Sequence, residues 1–458
     1  MHSDLIRVDP SLLAKWNRPV PRYTSYPTAP QFHPVEEAFV RSRLNAFDQG
    51  QKNLSIYIHI PFCKSMCLFC GCSVILNRKP ERQTAYLNAL LKEIDLTAGC
   101  FTGRRKVSQL HLGGGTPTSL SEEEFDVLMQ RLRDRFIWER EAEISIEIDP
   151  RTVYADGGKK LAALKRLGFN RVSFGVQDLD PAVQEAVKRR QTEEMTVATY
   201  WKARELGFQG INIDLIYGLP LQTTQTFSKT VDRLLELKPD RIAFYSYAKV
   251  PWLKDHQKAI PEALLPSTEE KFRIYVEARA RFMEGGYAAI GMDHFALNSD
   301  SIAKAYREKK LQRNFQGYSL QLADDMLGFG VTSIGFFEQC YLQNVKELQL
   351  YHDLISQDSL PVLRGFVLSE EDLRRRWVIQ SLMCHFELEK QEFSRRFGLE
   401  FDIHFAQEKT SLIPLIEEGF LIETREKLTP TPLGRLFIRL IAASFDAYVD
   451  RGRFSRAV

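Results

Sequence analysis

Leu54-Ser55-Ile56-Tyr57-Ile58-His59-Ile60 runs directly into Pro61-Phe62-Cys63-Lys64-Ser65-Met66-Cys67-Leu68-Phe69-Cys70-Gly71-Cys72. The alternating apolar run predicts a strand over 54–60, and the cysteines predict what stands at its end. Cys63, Cys67 and Cys70 have the spacing C-x3-C-x2-C. Three thiolates can hold a [4Fe–4S] cluster and leave one iron without a protein ligand, whereas electron-transfer clusters take four cysteines. An open metal position can bind a substrate. Zinc sites instead pair C-x2-4-C knuckles, and no second knuckle exists here. The other cysteines, Cys100, Cys340 and Cys384, are scattered singly. Seven cysteines in so long a chain do not suggest a disulfide framework. Cys72 has two readings: a fourth ligand that would close the open iron, or a free thiol facing the substrate. The second is preferred.

A chain of 458 residues with 44% hydrophobic residues has room for more than one domain and for a sizeable core. Its 62 basic and 59 acidic residues leave a net charge of +3, which demands neither nucleic acid nor a membrane surface. The first residues, MHSDLIRVDPSLLAKW, lack the apolar core of a signal peptide. No apolar run approaches the roughly 20 residues of a membrane span. The stretch from Leu433 to Val449 is broken by Arg435, Arg439 and Asp446. Thiolates and an iron–sulfur cluster fit the cytosol, so a soluble cytoplasmic enzyme is expected.

Strand-like runs recur at 54–60, 107–112, 143–148, 171–176, 211–217 and 241–247. Helix-period segments lie between them at 83–97, 121–136, 158–167, 194–206 and 223–237. This alternation predicts βαβ units and a parallel sheet. The polar residues favour a partial or full barrel, because they gather at one end of the strands. Cys63 follows the first, Gly113-Gly114-Gly115-Thr116 the second, Glu147 and Asp149 close the third, and Gln177-Asp178 follow the fourth. Asp214 lies late in the fifth. A doubly wound open sheet would gather ligands chiefly at a switch point. A further helix is expected over 268–284, a glycine- and aromatic-rich region over 290–340, and a charged helical region from about 368. The stretch GFLIETREKLTPTPLG then predicts a small hairpin, giving a winged-helix-like module without the basic surplus of a DNA binder.

Each motif has a bland reading beside the sharp one. Three consecutive glycines let backbone approach a ligand and expose N–H groups, or simply make a tight turn. Glu147 and Asp149 alternate along one strand and so share a face; internal carboxylates need partners. Asp214 is apolar-flanked, and Gln177 is a weak signal alone. Arg189 sits between Lys188 and Arg190, a pattern more typical of a solvated helix face. Tyr57 is compatible with core, and Phe69 has a ring suited to stacking. Arg22, in PRYTSYPT (21–28), and Arg313, in RNFQGY, become interesting if the substrate carries carboxylates, which arginine grips bidentately.

On the cysteine spacing the chain resembles the radical S-adenosylmethionine (SAM) enzymes. Over nearly its whole length it resembles the oxygen-independent coproporphyrinogen III oxidases (dehydrogenases). The motifs are PRYTSYPTA (21–29), YIHIPFCKSMCLFCGC (57–72), LHLGGGTPT (110–118), EISIEIDPR (143–151), GVQD (175–178), NIDLIYGLP (212–220), GMDHFA (291–296), NFQGY (314–318) and the terminal FSRAV. The resemblance implies an α/β fold, a partial (β/α)6 barrel. An N-terminal extension (1–40), a catalytic domain (41–367, barrel core about 54–250) and a small, mainly helical C-terminal domain (368–458) are expected. It also implies cluster ligation by Cys63, Cys67 and Cys70 and two bound SAM molecules. Tyr57, Phe69, Gly114, Glu147 and Ile334 would contact the first; Gly115, Thr116, Gln177, Arg189, Asp214 and Ala248 the second. Arg22, Cys72 and Arg313 would lie toward the substrate. Leu68 and Ser73 depart from the family's usual residues beside the ligands without replacing them.

The implied activity is oxidative decarboxylation of two propionates of coproporphyrinogen III to vinyl groups, giving protoporphyrinogen IX in heme biosynthesis. It would proceed through a 5′-deoxyadenosyl radical, with no side-chain general base assigned. An electron donor and an acceptor would be partners of a monomer; neither nucleic acid nor a membrane span is implied. The family's heme-carrying paralogues, which usually lack both PRYTSYPT and the fourth cysteine, give the alternative: a heme carrier without this activity.

Overall fold

The computed structural model describes residues 9–48, 53–320, 323, 325–449 and 454–457. The chain forms two compact units: Phe32–Leu215 with Leu322–Val367, and Met1–Gln31 with Ile216–Gln321 and Leu368–Val458. The α/β class expected from strand–helix alternation is the one observed.

In the unit that carries the cysteines, β1 (Leu54–Ile60), β2 (Lys106–Gly114), β3 (Ile137–Ile148), β4 (Arg171–Gln177) and β5 (Gly210–Tyr217) lie side by side in parallel. They alternate with α1 (Pro80–Ala98), α2 (Glu122–Arg135), α3 (Lys159–Arg166) and α4 (Glu193–Glu205). Leu54, Ile56, Ile58 and Ile60 of β1 are fully buried, and Ser55 and His59 on its other face are buried too. Burial on both faces is the signature of a central parallel strand. Helix α2 starts where Ser121 and Glu124 close a capping box, satisfying two otherwise orphaned amides. These elements lie within a few residues of where the sequence periods place them.

Beside β1 the sheet continues through strands the sequence did not announce. Asp325–Phe329 runs parallel to β1, followed by the antiparallel Ile334–Phe337, Cys340–Asn344 and Val362–Val367. A Cβ on Gly328 would stand 2.8 Å from the carbonyl carbon of Ile334, and one on Gly335 2.9 Å from the Met326 oxygen. Close backbone approach requires glycine there and erases the apolar period that would have marked the strands.

Glu93 of α1 ties this added edge to the helix layer. The carboxylate is 2% exposed and accepts hydrogen bonds from Gly330 N (2.8 Å), Asn344 Nδ2 (2.6 Å) and the Tyr351 hydroxyl (2.6 Å). Glu93→Ala would leave three buried donors unmet and is expected to cost about 3–5 kcal/mol. Burial pushes the Glu93 carboxyl from its ordinary 4.5 up to about 7, against the pull of Tyr351, Gly330 and Asn344. A carboxyl raised on folding contributes stability that is complete below its unfolded pKa and lost as pH rises through the folded one. The parent protein should therefore lose up to ~3 kcal/mol between pH 4.5 and 7 from this group. Glu93→Gln should remove that share of the slope. Melting curves across this range test it; an unchanged slope would mean Glu93 is not the titrating group.

The other unit contains α5 (Thr224–Leu237), β6 (Arg241–Ser246) and α6 (Thr268–Glu284), where strand and helices were expected. His294–Leu297 pairs antiparallel with both β6 and Tyr287–Ile290. Past Leu368, the helices Glu370–His385, Lys390–Phe397 and Ala406–Glu417 accompany a three-stranded sheet ordered Leu388–Glu389, Lys427–Pro430, Leu421–Glu423. The expected hairpin is present, Leu421–Glu423 pairing antiparallel with Lys427–Pro430. Among the described residues no helix is long and apolar enough to cross a membrane.

Candidate active site

The cysteine loop leaves the C-terminal end of β1. Phe62–Cys63 pairs in parallel with Ile75–Leu76, so a two-strand clasp closes residues 64–74 into a loop. Asn77 N donates to the Cys63 carbonyl at 2.9 Å and Leu68 N to the Val187 carbonyl at 2.9 Å, anchoring it. Cys67 is buried, Cys63 and Cys70 are half-buried, and Cys72 is exposed. Burial pushes the Cys63 thiol up to about 11, opposed by a hydrogen bond with Thr116 and reinforced by Cys70 and Cys67. Cys63, Cys67 and Cys70 thus bring three sulfur donors into one loop. Among the described residues no three His, Cys, Asp or Glu side chains converge on a single ion. Three cysteine sulfurs are the kind of donor a polynuclear iron–sulfur group takes. A hydrogen bond with Cys70 raises the Cys72 thiol well above its ordinary range.

The glycine loop at the end of β2 lies beside these groups. Gly114 has φ +118°, a conformation that excludes other residues, and a Cβ there would meet the His59 ring at 2.7 Å. A Cβ on Gly115 would stand 2.5 Å from the Pro61 oxygen, and one on Gly113 2.9 Å from Glu147 Oε1. Backbone approach and conformation therefore require glycine at 114 and 115, whereas at 113 the Glu147 side chain could give way. Thr116 places its Oγ1 3.2 Å from Cys63 Sγ.

Glu147 receives the Gly114 amide on Oε2 at 3.0 Å, and its side chain is 42% exposed. Tyr57 stacks on His111 at 6.1 Å, and its hydroxyl lies 3.0 Å from His59 Nδ1. His59 Nε2 meets the Ser73 carbonyl at 2.9 Å, so the neutral ring is protonated there and its Nδ1 accepts from Tyr57. On β5, Asp214 accepts from Asn212 Nδ2 (2.7 Å) and from Ser173 Oγ (3.1 Å). Burial and then the neighbouring Glu147 push its carboxyl up to about 7. Gln177 ends β4 buried, with φ +73°, a costly conformation for a side-chain-bearing residue and one that collects at functional sites.

Two residues differ from their bland readings. Arg190 is solvated and pairs with Glu185, whereas Arg189 is buried and places Nη1 3.6 Å from Cys67 Sγ. Asp149, an internal carboxylate in need of a partner rather than a solvated acid, finds it within the protein: it caps the helix Pro150–Tyr154 and pairs with Arg151. Arg151 Nη2 reaches to 4.0 Å from Cys67 Sγ. Nothing in the sequence sets Arg151, His59, His111, Ser173 and Asn212 apart, although Arg151 stands in EIDPR and His111 and Ser173 share the period of their strands. Ile334 opens the strand Ile334–Phe337 of the same unit. Phe69 lies in the cysteine loop.

Arg22, Ala248 and Arg313 belong to the other unit. Arg22 donates Nη2 to the Ser246 carbonyl at 2.9 Å and lines a cavity with Tyr217, Tyr275, Asp293 and Arg439. The Arg313 fork is occupied by Asp293, at 3.3 and 3.1 Å, and its Nε donates to the Arg22 carbonyl at 3.2 Å.

A family model for the radical SAM superfamily matches residues 57–234, and one for the HemN C-terminal domain matches 368–437. The chain is 43% identical over 456 residues to the oxygen-independent coproporphyrinogen III oxidase of Synechocystis sp., covering 98% of this chain and 97% of that one. It is equally identical to the oxygen-independent coproporphyrinogen III oxidase of Escherichia coli K12, over 98% of each chain. The solved coproporphyrinogen III oxidase (HemN) of Escherichia coli, a radical SAM enzyme, matches with a TM-score of 0.90 at 42% identity, over 97% of this chain and 100% of that one. The radical SAM family implies a [4Fe–4S] cluster and SAM, and the three-thiol loop beside a glycine turn and an oriented carboxylate fits them. Full-length similarity reaching both ends of the fold places the chain in the oxygen-independent coproporphyrinogen III oxidase family of radical SAM proteins.

Proposed function

We propose that this chain is an oxygen-independent coproporphyrinogen III dehydrogenase, converting two propionates of coproporphyrinogen III to vinyl groups and yielding protoporphyrinogen IX. The observation that carries the reading is the three-thiol loop at the end of β1, flanked by the glycine turn of β2 and Glu147. Cys63, Cys67 and Cys70 would hold the cluster. When bound, the cluster and SAM supply a 5′-deoxyadenosyl radical able to take a hydrogen atom from a propionate β-carbon. Loss of CO2 and one electron from that side chain then leaves the vinyl group.

The residues bind, orient and exclude water, while the cofactors supply the hard chemistry. Tyr57, Phe69, Gly114, Glu147 and Ile334 are assigned to one SAM. Glu147, fixed by the Gly114 amide, keeps an exposed oxygen for an ammonium or hydroxyl. Gly115, Thr116, Gln177, Arg189, Asp214 and Ala248 are assigned to a second SAM, with Asp214 held by Asn212 and Ser173. Arg22, Cys72 and Arg313 are assigned to the substrate side, and Arg313 Nε also holds the Arg22 carbonyl. Residues 1–40, 41–367 and 368–458 serve as extension, catalytic domain and C-terminal domain of a cytoplasmic monomer that needs an electron donor and an acceptor.

An anaerobic assay with coproporphyrinogen III, SAM and a reductant tests the proposal. Protoporphyrinogen IX should form with more than one turnover. Stoichiometric heme binding without turnover would instead identify a heme carrier.

A further inference from the structure

The sulfur of Cys67 has an electrostatic setting that the sulfur of Cys63 lacks. Arg189 Nη1 stands 3.6 Å from it and Arg151 Nη2 4.0 Å, while Cys63 Sγ meets the neutral hydroxyl of Thr116. Asp149 lies between the two guanidiniums. Arg151 Nε donates to its Oδ1 at 2.9 Å, and Arg189 Nη2 is 3.9 Å from the same oxygen. The carboxylate also accepts the Arg151 amide at 3.1 Å as the cap of Pro150–Tyr154, so a backbone turn fixes the spacing of the charges. The side chains of Asp149 and Arg151 are 12% and 23% exposed, so solvent screens them incompletely.

We propose that Arg151 and Asp149 form an opposed charge pair that sets the reduction potential of the iron–sulfur group held at Cys67, Arg151 raising it and Asp149 lowering it. The inference rests on the reading of Cys63, Cys67 and Cys70 as cluster ligands. Reduction adds negative charge that spreads onto the ligand sulfurs. A guanidinium within reach of one sulfur stabilises the reduced form, and N–H groups directed at ligand sulfurs act in the same sense. A carboxylate beside that guanidinium cancels part of its field. Both act through Cys67 and are tuning residues, not catalytic ones.

The test is a redox titration of the cluster-loaded protein, followed by the electron paramagnetic resonance of the reduced cluster, for the parent, Arg151→Gln, Arg151→Lys and Asp149→Asn. Arg151→Gln should move the midpoint potential negative and Asp149→Asn positive, with Arg151→Lys remaining nearer the parent than Arg151→Gln. Asparagine keeps the capping oxygen, so Asp149→Asn decides the matter if Arg151→Gln loses iron. Shifts of the same sign, no shift, or iron loss from both variants would overturn the inference, the last because it would make the pair structural. A parent protein that takes up no cluster would instead defeat the ligand reading beneath it.

Discussion

Cys67→Ala, purified and reconstituted without oxygen, is expected to be colourless and to cleave no SAM, whereas Cys72→Ala should keep its brown cluster. The asymmetry follows from where the thiols sit. Cys67 is buried in the closed loop with two arginines directed at its sulfur, and Cys72 is exposed. A three-cysteine site has no spare ligand, and loss of one leaves the iron atoms with two. Even substitutions behind metal ligands cost 10–100-fold in affinity or activity, so loss of a ligand should exceed about 100-fold. Iron and sulfide analysis with a SAM-cleavage assay on both variants gives the answer. A full cluster in Cys67→Ala would remove it from the ligand set. Iron loss in Cys72→Ala would make Cys72 a ligand and remove the open position on which SAM binding depends.

What the sequence disclosed about this site follows from the range of the forces involved. The strands β1 to β5 and their helices were legible because local apolar period determines them. The cysteine loop was legible because ligand spacing is itself local. Glu93 was not. In the sequence of α1 it resembles any solvated acid, and its burial is decided by Gly330, Asn344 and Tyr351, more than 200 residues away. Arg189 was masked by its neighbours Lys188 and Arg190, because a basic triple does not say which member turns inward. Asp149 stands out in the sequence as an internal carboxylate in need of a partner, but nothing there marks Arg151, two residues on, as that partner. A salt bridge across a helix cap leaves no periodic trace.

Asp293→Asn is expected to destabilise the unit that holds the family's outlying motifs, by about 3–5 kcal/mol, the usual cost of removing one partner of a buried ion pair. GMDHFA, RNFQGY and PRYTSYPT meet around this carboxylate. Arg313 grips Asp293 with its fork, His294 Nδ1 lies 2.7 Å from Asp293 Oδ1, and Arg313 Nε holds the Arg22 carbonyl. The side chains of Arg313 and Asp293 are 3% and 7% exposed, so water cannot replace the lost charge. The glycines of the motifs serve the same packing: a Cβ on Gly291 would overlap the Tyr318 ring, and one on Gly317 would press on His294 at 3.1 Å. PRYTSYPT is thus no loose tether. Tyr23 and Tyr26 are buried, Tyr23 donates to Asp446, and Arg439 donates to the Val20 and Pro21 carbonyls. Against the upward push of burial, Arg313 and His294 hold the Asp293 carboxyl well below the usual carboxylate range. A depressed carboxyl contributes stability that is present above its unfolded pKa and lost as pH falls toward the folded one. The parent protein should therefore lose this contribution as pH falls below about 4, and Asp293→Asn should lack it at every pH. At pH 7 the variant should melt about 10 °C lower. Equal melting temperatures would show that Asp293 does not hold the three motifs together.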